Sequence, residues 1–193
     1  MKLRWLLAAL GLALMPLGAR AQVGLYFNPL VTRVSNSQAD TGPFAFLGQG
    51  NTSGTFGGLS MGGYLDLGHA PKYALGLDVR DELEHGNSAL LNSFLVGVRA
   101  EAKAPKAVLK PYLQLSGGVG TTHSPLSPAR SSKAMYKIYG GLDYGLAKHV
   151  DWRVVEIGYG SLTTVNSTQF GTTETYPQSR LLSFSAGLVF RIH

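Results

Sequence analysis

The residue types that could carry nucleophilic catalysis lie together at His123 and Ser124, and an acidic segment with a further histidine lies at 81–85. Nucleophilic chemistry of this kind needs a base that orients and deprotonates the serine, so the two side chains must converge. Adjacent residues of an extended strand point to opposite faces, which argues against activation of Ser124 by His123. We therefore predict no catalytic residue here. The chemistry-bearing residues of the acidic segment, which we place in a neighbouring loop, are Asp81, Glu82, Glu84 and His85.

Metal and phosphate chemistry find little support in the sequence. The chain has no cysteine, which excludes a disulfide scaffold, a thiolate metal site, a cysteine nucleophile and a lipoprotein anchor. The five histidines lack the close pairing of a preformed zinc site, although His69, His149 and His193 are expected at one end of the fold. The glycine-rich segment 117–120 has the wrong spacing for a phosphate-binding loop. We predict no metal and no cofactor.

The first 21 residues have the features of a secretory signal peptide. Lys2 and Arg4 precede a short apolar run at 5–14, and Ala19-Arg20-Ala21 places small residues at the cleavage positions. The alternative, a membrane anchor, needs about 20 apolar residues, more than this run contains. Removing 1–21 lowers the formal net charge from +6 to +3 and leaves 22–193 as one domain. No Lys/Arg cluster remains, so we predict no nucleic-acid partner.

Alternation with period two runs through almost all of the remaining chain. In 182–192 the even positions are apolar and the odd positions are mostly polar or small, as in a strand with two unlike faces. Comparable runs predict eight strands of about ten residues each and no helix. In 150–162 the alternation slips phase, which predicts a β-bulge near Val154–Val155.

The connections between these strands alternate in length. The odd connections are the longer ones, at 35–54, 82–88, 121–132 and 163–178, and the even ones are short, at 68–72, 102–106 and 147–150. In an up-and-down barrel this order puts every long loop at one end. Long extracellular loops opposite short periplasmic turns are typical of outer-membrane barrels.

The composition indicates which face of the barrel points outward. Charged residues make up only 15% of the chain, mean hydropathy is +0.07, and 25 residues are glycine. A water-soluble barrel would have a more highly charged exterior, whereas glycine, serine and a few charges of both signs suit a cramped interior. Closure is obligatory because open sheet edges are not tolerated in lipid. We predict an interior ion network of Asp78, Arg80, Arg99, Glu101, Lys137, Asp143, Arg153, Glu156 and Arg191, with Asp66 and Lys110 as further members.

Several motifs resemble the outer-membrane protein A-like family of small barrels. They are the terminal strand 188–192 and the glycine pairs at 57–58, 62–63, 117–118 and 140–141. The most specific motif is the segment 139–146 followed by 150–159, which is similar to that family's last hairpin with inward Arg and Glu. The resemblance implies a closed eight-stranded antiparallel transmembrane barrel in the bacterial outer membrane. Its implied partners are outer-membrane lipid and lipopolysaccharide, and the barrel assembly machinery during insertion. Family members usually end on an aromatic residue, whereas this chain ends Phe190-Arg-Ile-His193. We expect no peptidoglycan-binding periplasmic domain.

We therefore predict a non-enzymatic outer-membrane barrel with a structural or surface-interaction role. Its polar loops 35–55, 121–133 and 163–179 would face the exterior, where any ligand is unknown. Eight strands enclose a lumen that side chains fill, which disfavours a passive channel. The alternative is a lipid A-modifying hydrolase or acyltransferase acting at the extracellular rim through His123 and Ser124, although the His-x-Ser-Asn pattern of the deacylases is missing.

Overall fold

The computed structural model describes most of the chain that follows the predicted signal peptide. The described ranges are 22–39, 45–69, 72–86, 88–102, 108–124, 130–163 and 178–192. The predicted signal peptide at 1–21 and the C-terminal His193 lie outside these ranges. Among the described residues, no helix is long and apolar enough to cross a membrane.

The described residues form eight strands, the number that the alternation predicts. The strands are β1 Gln22–Ser35, β2 Ser53–His69, β3 Tyr73–Gly86, β4 Ala89–Ala102, β5 Leu109–His123, β6 Arg130–Ala147, β7 Val150–Thr163 and β8 Gln178–Ile192. They are 14 to 18 residues long rather than about ten. They are longer because pairing continues beyond the apolar positions into polar residues at the strand ends.

The eight strands close into one up-and-down barrel. Each strand pairs antiparallel with its neighbours in the chain, and β1 pairs with β8. Closure gives every strand two partners, so the sheet has no edge whose backbone amides would be unsatisfied in lipid. We call the end with the β1–β2, β3–β4, β5–β6 and β7–β8 connections the loop end, and the opposite end the turn end.

Apolar side chains cover the outside of the barrel and polar ones fill the inside. On β5, Leu113 and Leu115 are each 61% exposed, whereas Gln114 between them is 1% exposed. The same inversion holds on every strand, so the predicted orientation of the two faces is confirmed. Aromatic residues near the strand ends also point outward, and these are Tyr73, Tyr136, Tyr144, Trp152 and Phe190.

The predicted β-bulge in β7 is confirmed. The register against β8 shifts between Arg153 and Glu156, and the register against β6 shifts between Leu142 and Asp143. Two residues, Val154 and Val155, therefore separate two consecutive inward positions. As a result both Arg153 and Glu156 point into the barrel.

The predicted loop 82–88 is wrong. Pairing between β3 and β4 continues to Gly86 opposite Ala89, so the connection is a tight turn in which Ser88 has a φ of 62°. The polar residues of this segment suggested a loop, but Glu82 and Glu84 occupy inward positions of a strand whose outward residues include Leu83. The regular alternation of long and short connections therefore fails at this point.

Candidate functional site

The nine predicted network residues all lie inside the barrel. None of these side chains is more than 7% exposed. Ion pairs connect them into one network that joins six cationic and six anionic side chains of the described chain. Its members are Arg80, Arg99, Lys110, Lys137, Arg153 and Arg191 with Asp78, Glu82, Glu101, Asp143, Asp151 and Glu156. The equal numbers matter because an uncompensated buried charge is strongly destabilising.

The centre of the network is the pair formed by Arg80 on β3 and Glu156 on β7. The guanidinium donates two hydrogen bonds of 2.7 Å to the two carboxylate oxygens, which is the bidentate geometry of strong ion pairs. Glu156 also accepts a hydrogen bond of 2.5 Å from Tyr112 and one of 2.9 Å from Ser185. Strands from opposite walls are thus joined across the lumen.

A second group of ion pairs continues from this centre toward the turn end. Arg153 donates to Asp143 at 2.9 Å and lies 3.3 Å from Glu156, so it links this second group to the central pair of Arg80 and Glu156. Arg99 donates to Asp143 at 2.9 Å and to Glu101 at 2.8 Å. Near the turn end Lys110 and Arg191 both pair with Asp151, and Arg191 also pairs with Glu101. Side chains therefore occupy the lumen from its middle to this end.

Tyrosine rings stack on the guanidinium groups of the buried arginines. The Arg99 guanidinium lies between the rings of Tyr64 and Tyr112, 4.0 and 4.1 Å from their centroids. The Arg80 guanidinium lies 3.9 Å from the ring centroid of Tyr139. Stacked guanidinium groups keep their in-plane donors free for carboxylates, so the rings and the ion pairs are compatible. Tyr139 itself donates to Glu82 at 2.8 Å.

Two glycines make room for these rings. A Cβ on Gly24 would lie 2.2 Å from the ring of Tyr64, and a Cβ on Gly141 would lie 2.3 Å from the ring of Tyr112. No real Cβ approaches another heavy atom so closely. The high glycine content therefore has a structural role at these positions, because the aromatic rings lie flat against the backbone of the neighbouring strand.

Two network members were not predicted. Glu82 was assigned to a loop, but it lies inside β3 and accepts a hydrogen bond of 2.6 Å from Lys137. Asp151 lies in the predicted strand 150–162 but was left out of the predicted network, and it points inward at the turn end. Asp151 has the same parity as the inward Arg153, and Glu82 has the same parity as the inward Arg80, so alternation alone could have identified both residues once β3 was known to continue to Gly86.

An apolar cluster at the loop end closes the barrel above the network. Phe46 and Leu47, from the β1–β2 connection, are at most 2% exposed and cluster with inward apolar side chains near the strand ends. Ala45 beside them is buried as well. The rings of Phe46 and Phe56 stack with centroids 5.6 Å apart. We call this cluster the apolar cap; its other members are Val34, Ala89, Leu91, Leu95, Met135, Tyr139, Leu162 and Leu181.

The apolar cap corrects the expectation that 35–55 is wholly a polar, outward-facing loop. Hydrogen bonds fix its backbone in the mouth of the barrel: Ser124 donates to the carbonyl of Ala45 at 3.0 Å, and Asn51 donates to that of Leu47 at 3.0 Å. The run Phe44-Ala-Phe-Leu47 was the available signal in the sequence, since it is apolar within a mostly polar segment.

Two buried acids lie outside the ion-pair network of the described residues: Asp66 near the turn end, which was predicted as a member, and Glu84 beneath the apolar cap. Glu84 is 2% exposed, and it forms no ion pair within the part of the chain that the structure describes. The charges of Lys137 and Glu82 act on it, and Thr32 on β1 is a further polar neighbour. Glu84 is therefore an acid held in a poorly compensated position between the network and the cap.

The structure does not assemble the rim residues into a catalytic group. Ser124 is buried and engaged with the carbonyl of Ala45. His123 lies on the outward side of β5, paired with Leu90 and Arg130. In the acidic segment the inward Glu82 and Glu84 alternate with the outward Asp81 and His85, so strand geometry disperses them over two faces.

No group of three or more His, Asp or Glu residues able to hold a metal occurs within the described ranges. Three histidines were predicted to lie close together at the turn end. The side chain of His69 and the whole of His193 lie outside the described residues, so the structure does not test this prediction. His149 lies at the turn end with its Nδ1 atom 3.2 Å from the carbonyl oxygen of Arg191.

Comparisons with known proteins identify the fold. No protein-family model matches the sequence, and no curated protein matches it significantly. The outer membrane protein OprG from Pseudomonas aeruginosa superposes with a TM-score of 0.53 at 12% identity, covering 90% of this chain and 96% of that one. Ail, the attachment invasion locus protein of Yersinia pestis, crystallised with the heparin analogue sucrose octasulfate, gives 0.52 at 9% identity, covering 90% and 99%. This chain therefore has the fold of the small eight-stranded outer-membrane β-barrels, as its alternation pattern predicts.

Proposed function

We propose that this protein is an integral component of the bacterial outer membrane with a non-enzymatic role, either structural or in surface interactions. The observation that carries the proposal is the combination of an apolar exterior with a lumen that charged side chains fill and the apolar cap closes. Export through the secretory pathway follows from the signal peptide predicted at 1–21.

The exterior supports a lipid environment. Leucine, valine, isoleucine and aromatic residues on the outer face are mostly between 37% and 61% exposed, an arrangement that water would penalise heavily. Outward rings near the strand ends match the aromatic girdles of membrane barrels. Outer-membrane lipid and lipopolysaccharide are accordingly its proposed surroundings, and the barrel assembly machinery its proposed insertion partner.

The interior argues against a channel. Arginine, tyrosine and carboxylate groups join opposite walls at the middle of the barrel, and Phe46 and Leu47 are buried at its mouth. Ions would have to displace both groups in order to pass. With the lumen closed, a surface interaction would have to involve the residues of the loop end. The ligand of such an interaction is unknown.

Two measurements on the detergent-folded protein test this proposal. The unboiled protein should migrate differently from the boiled protein on a denaturing gel, since a closed barrel resists detergent at room temperature. In planar bilayers it should give no discrete conductance steps. Identical mobility before and after boiling would reject the barrel in a membrane, and regular steps would reject the closed lumen.

The enzymatic alternative is tested separately by the lipid A of cells that express the chain. A hydrolase or acyltransferase would alter the mass of lipid A, and His123→Ala or Ser124→Ala would abolish the change. We expect an unchanged mass, because Ser124 is bound to the backbone of Ala45. A mass change that requires both residues would replace our proposal.

A further inference from the structure

A groove lies on the outer wall at the loop end, where four neighbouring strands meet. Its volume is about 520 Å³, within the size range of ligand sites. Four of its lining residues form one row of register partners across β6, β7, β8 and β1, in which Tyr136 pairs with Ser161, Ser161 with Arg180 and Arg180 with Ser35. The groove is thus part of the regular wall, whose strands hold its residues in place.

The groove lies at the upper edge of the apolar belt. Along β8 the outward residues change from Phe184 and Leu182 to Arg180, and along β1 they change from Val31 to Arg33. Two outward tyrosines, Tyr136 and Tyr159, lie at this boundary and are 53% and 54% exposed. Tyrosine rings at such a boundary mark the headgroup level of a bilayer.

The charge of this wall has one sign. Arg180 and Arg33 both point outward and lie on neighbouring strands, where Arg33 pairs with Leu182 two residues from Arg180. Neither arginine forms an ion pair with another described residue. No described outward position of β1, β6, β7 or β8 carries a carboxylate. On the opposite wall, by contrast, β3 has Asp81 on its outward face.

We propose that this groove binds the phosphorylated headgroup of an outer-leaflet lipid, of which bisphosphorylated lipid A is the representative. The inference rests on the proposed location in the outer membrane and adds a defined lipid site to it. Arg180 lines the groove, and Arg33 lies beside it on β1, where its guanidinium donates to Ser53 of β2 at 3.4 Å. Both guanidinium groups have the donors that phosphate oxygens require. Ser35 and Gln178 add polar groups for the sugar, and the tyrosine rings contact its ring faces and the first carbons of the acyl chains.

The test measures lipid retention by protein extracted in detergent from outer membranes, using native mass spectrometry. The probes are bisphosphorylated lipid A, lipid A without phosphates, and inorganic phosphate. The variants are Arg33→Gln with Arg180→Gln, and the matched control is Arg130→Gln, which removes an exposed cation at the start of β6 outside the groove.

The wild type should bind phosphorylated lipid A, and the double variant should bind it at least about tenfold more weakly, since two charge-assisted contacts are removed. Arg130→Gln should change binding less than about twofold, the size expected of a solvent-screened charge. Equal binding by the double variant, or equal binding of lipid A without phosphates, would overturn the inference. Inorganic phosphate that binds as tightly as the lipid would overturn it too, because the site would then recognise a free anion.

Failure of the inference is distinguishable from failure of the proposed function. If the wild type lacks a heat-modifiable gel form, the membrane barrel itself is wrong. If the wild type and all variants keep that form but bind lipid A with and without phosphates equally well, only the proposed lipid site is wrong.

Discussion

Removing the Arg80 guanidinium should destabilise the barrel more than any loss of a surface charge. Arg80→Met keeps an unbranched side chain of similar length but deletes the two 2.7 Å hydrogen bonds to Glu156. It also deletes the hydrogen bond from the guanidinium Nε to the Tyr26 hydroxyl and the stacking on Tyr139. The network would then hold one more negative than positive charge.

The remaining contacts set the size of the effect. Breaking a buried ion pair by removing one partner costs about 3–5 kcal/mol. Glu156 keeps a hydrogen bond from Tyr112 at 2.5 Å and its contact with Arg153 at 3.3 Å, which offsets part of the loss. We therefore expect a decrease of about 3 kcal/mol in the free energy of unfolding, the lower end of that range.

Urea unfolding of the protein in lipid vesicles measures this quantity. Arg130→Met, which alters an exposed arginine, should change it by less than about 0.5 kcal/mol. Adding Glu156→Gln to Arg80→Met should cost less than the sum of the two single changes, because each removes the charge that the other leaves unpaired. A loss below about 1 kcal/mol for Arg80→Met, or strict additivity, would refute the network as a source of stability.

Three further substitutions test other parts of the interior by the same unfolding measurement. Glu84→Gln should raise stability by about 1 kcal/mol, since it removes a buried charge without an ion-pair partner in the described chain, and a loss would show that the carboxylate is well compensated. Phe46→Ala should lower stability by about 3 kcal/mol, whereas a neutral result would mean that the apolar cap is not packed. Gly141→Ala should cost about 1–3 kcal/mol by displacing Tyr112, while Gly140→Ala, whose Cβ meets nothing within 4 Å, should be neutral; equal effects would contradict the packing.

Much of the fold could be predicted from the sequence because period two reports directly which face a residue occupies. Leu113 and Gln114 illustrate this, since their opposite exposure follows from parity alone. The phase slip in β7 likewise has only one simple cause, an extra residue, and the bulge lies at Val154–Val155 as expected. A closed barrel then follows, because lipid does not tolerate the open edges of a sheet.

The features that the sequence did not predict depend on how far along the barrel axis a residue lies and on which side chains face it. Parity reports neither. Glu82 was assigned to a loop because its polar neighbours hid the continuation of β3. Which carboxylate faces which cation depends on the stagger of the strands around the whole barrel, so the pairing of Arg80 with Glu156 could not be predicted. The burial of Phe46 depends on a loop folding back over the mouth, a long-range event with no periodic signal.

Site-directed fluorescence quenching in vesicles tests the central claim, that the apolar face of the strands contacts lipid. The chain has no cysteine, so a single introduced cysteine carries the only label. A fluorophore attached to Leu115→Cys, at an outward position that is 61% exposed in the middle of β5, should be quenched by lipid-bound nitroxide and be protected from aqueous iodide. The matched label at Thr121→Cys, near the loop end of the same strand, should show the reverse preference. Efficient iodide quenching at position 115 would contradict the membrane orientation and, with it, the assignment of the charged residues to a closed interior.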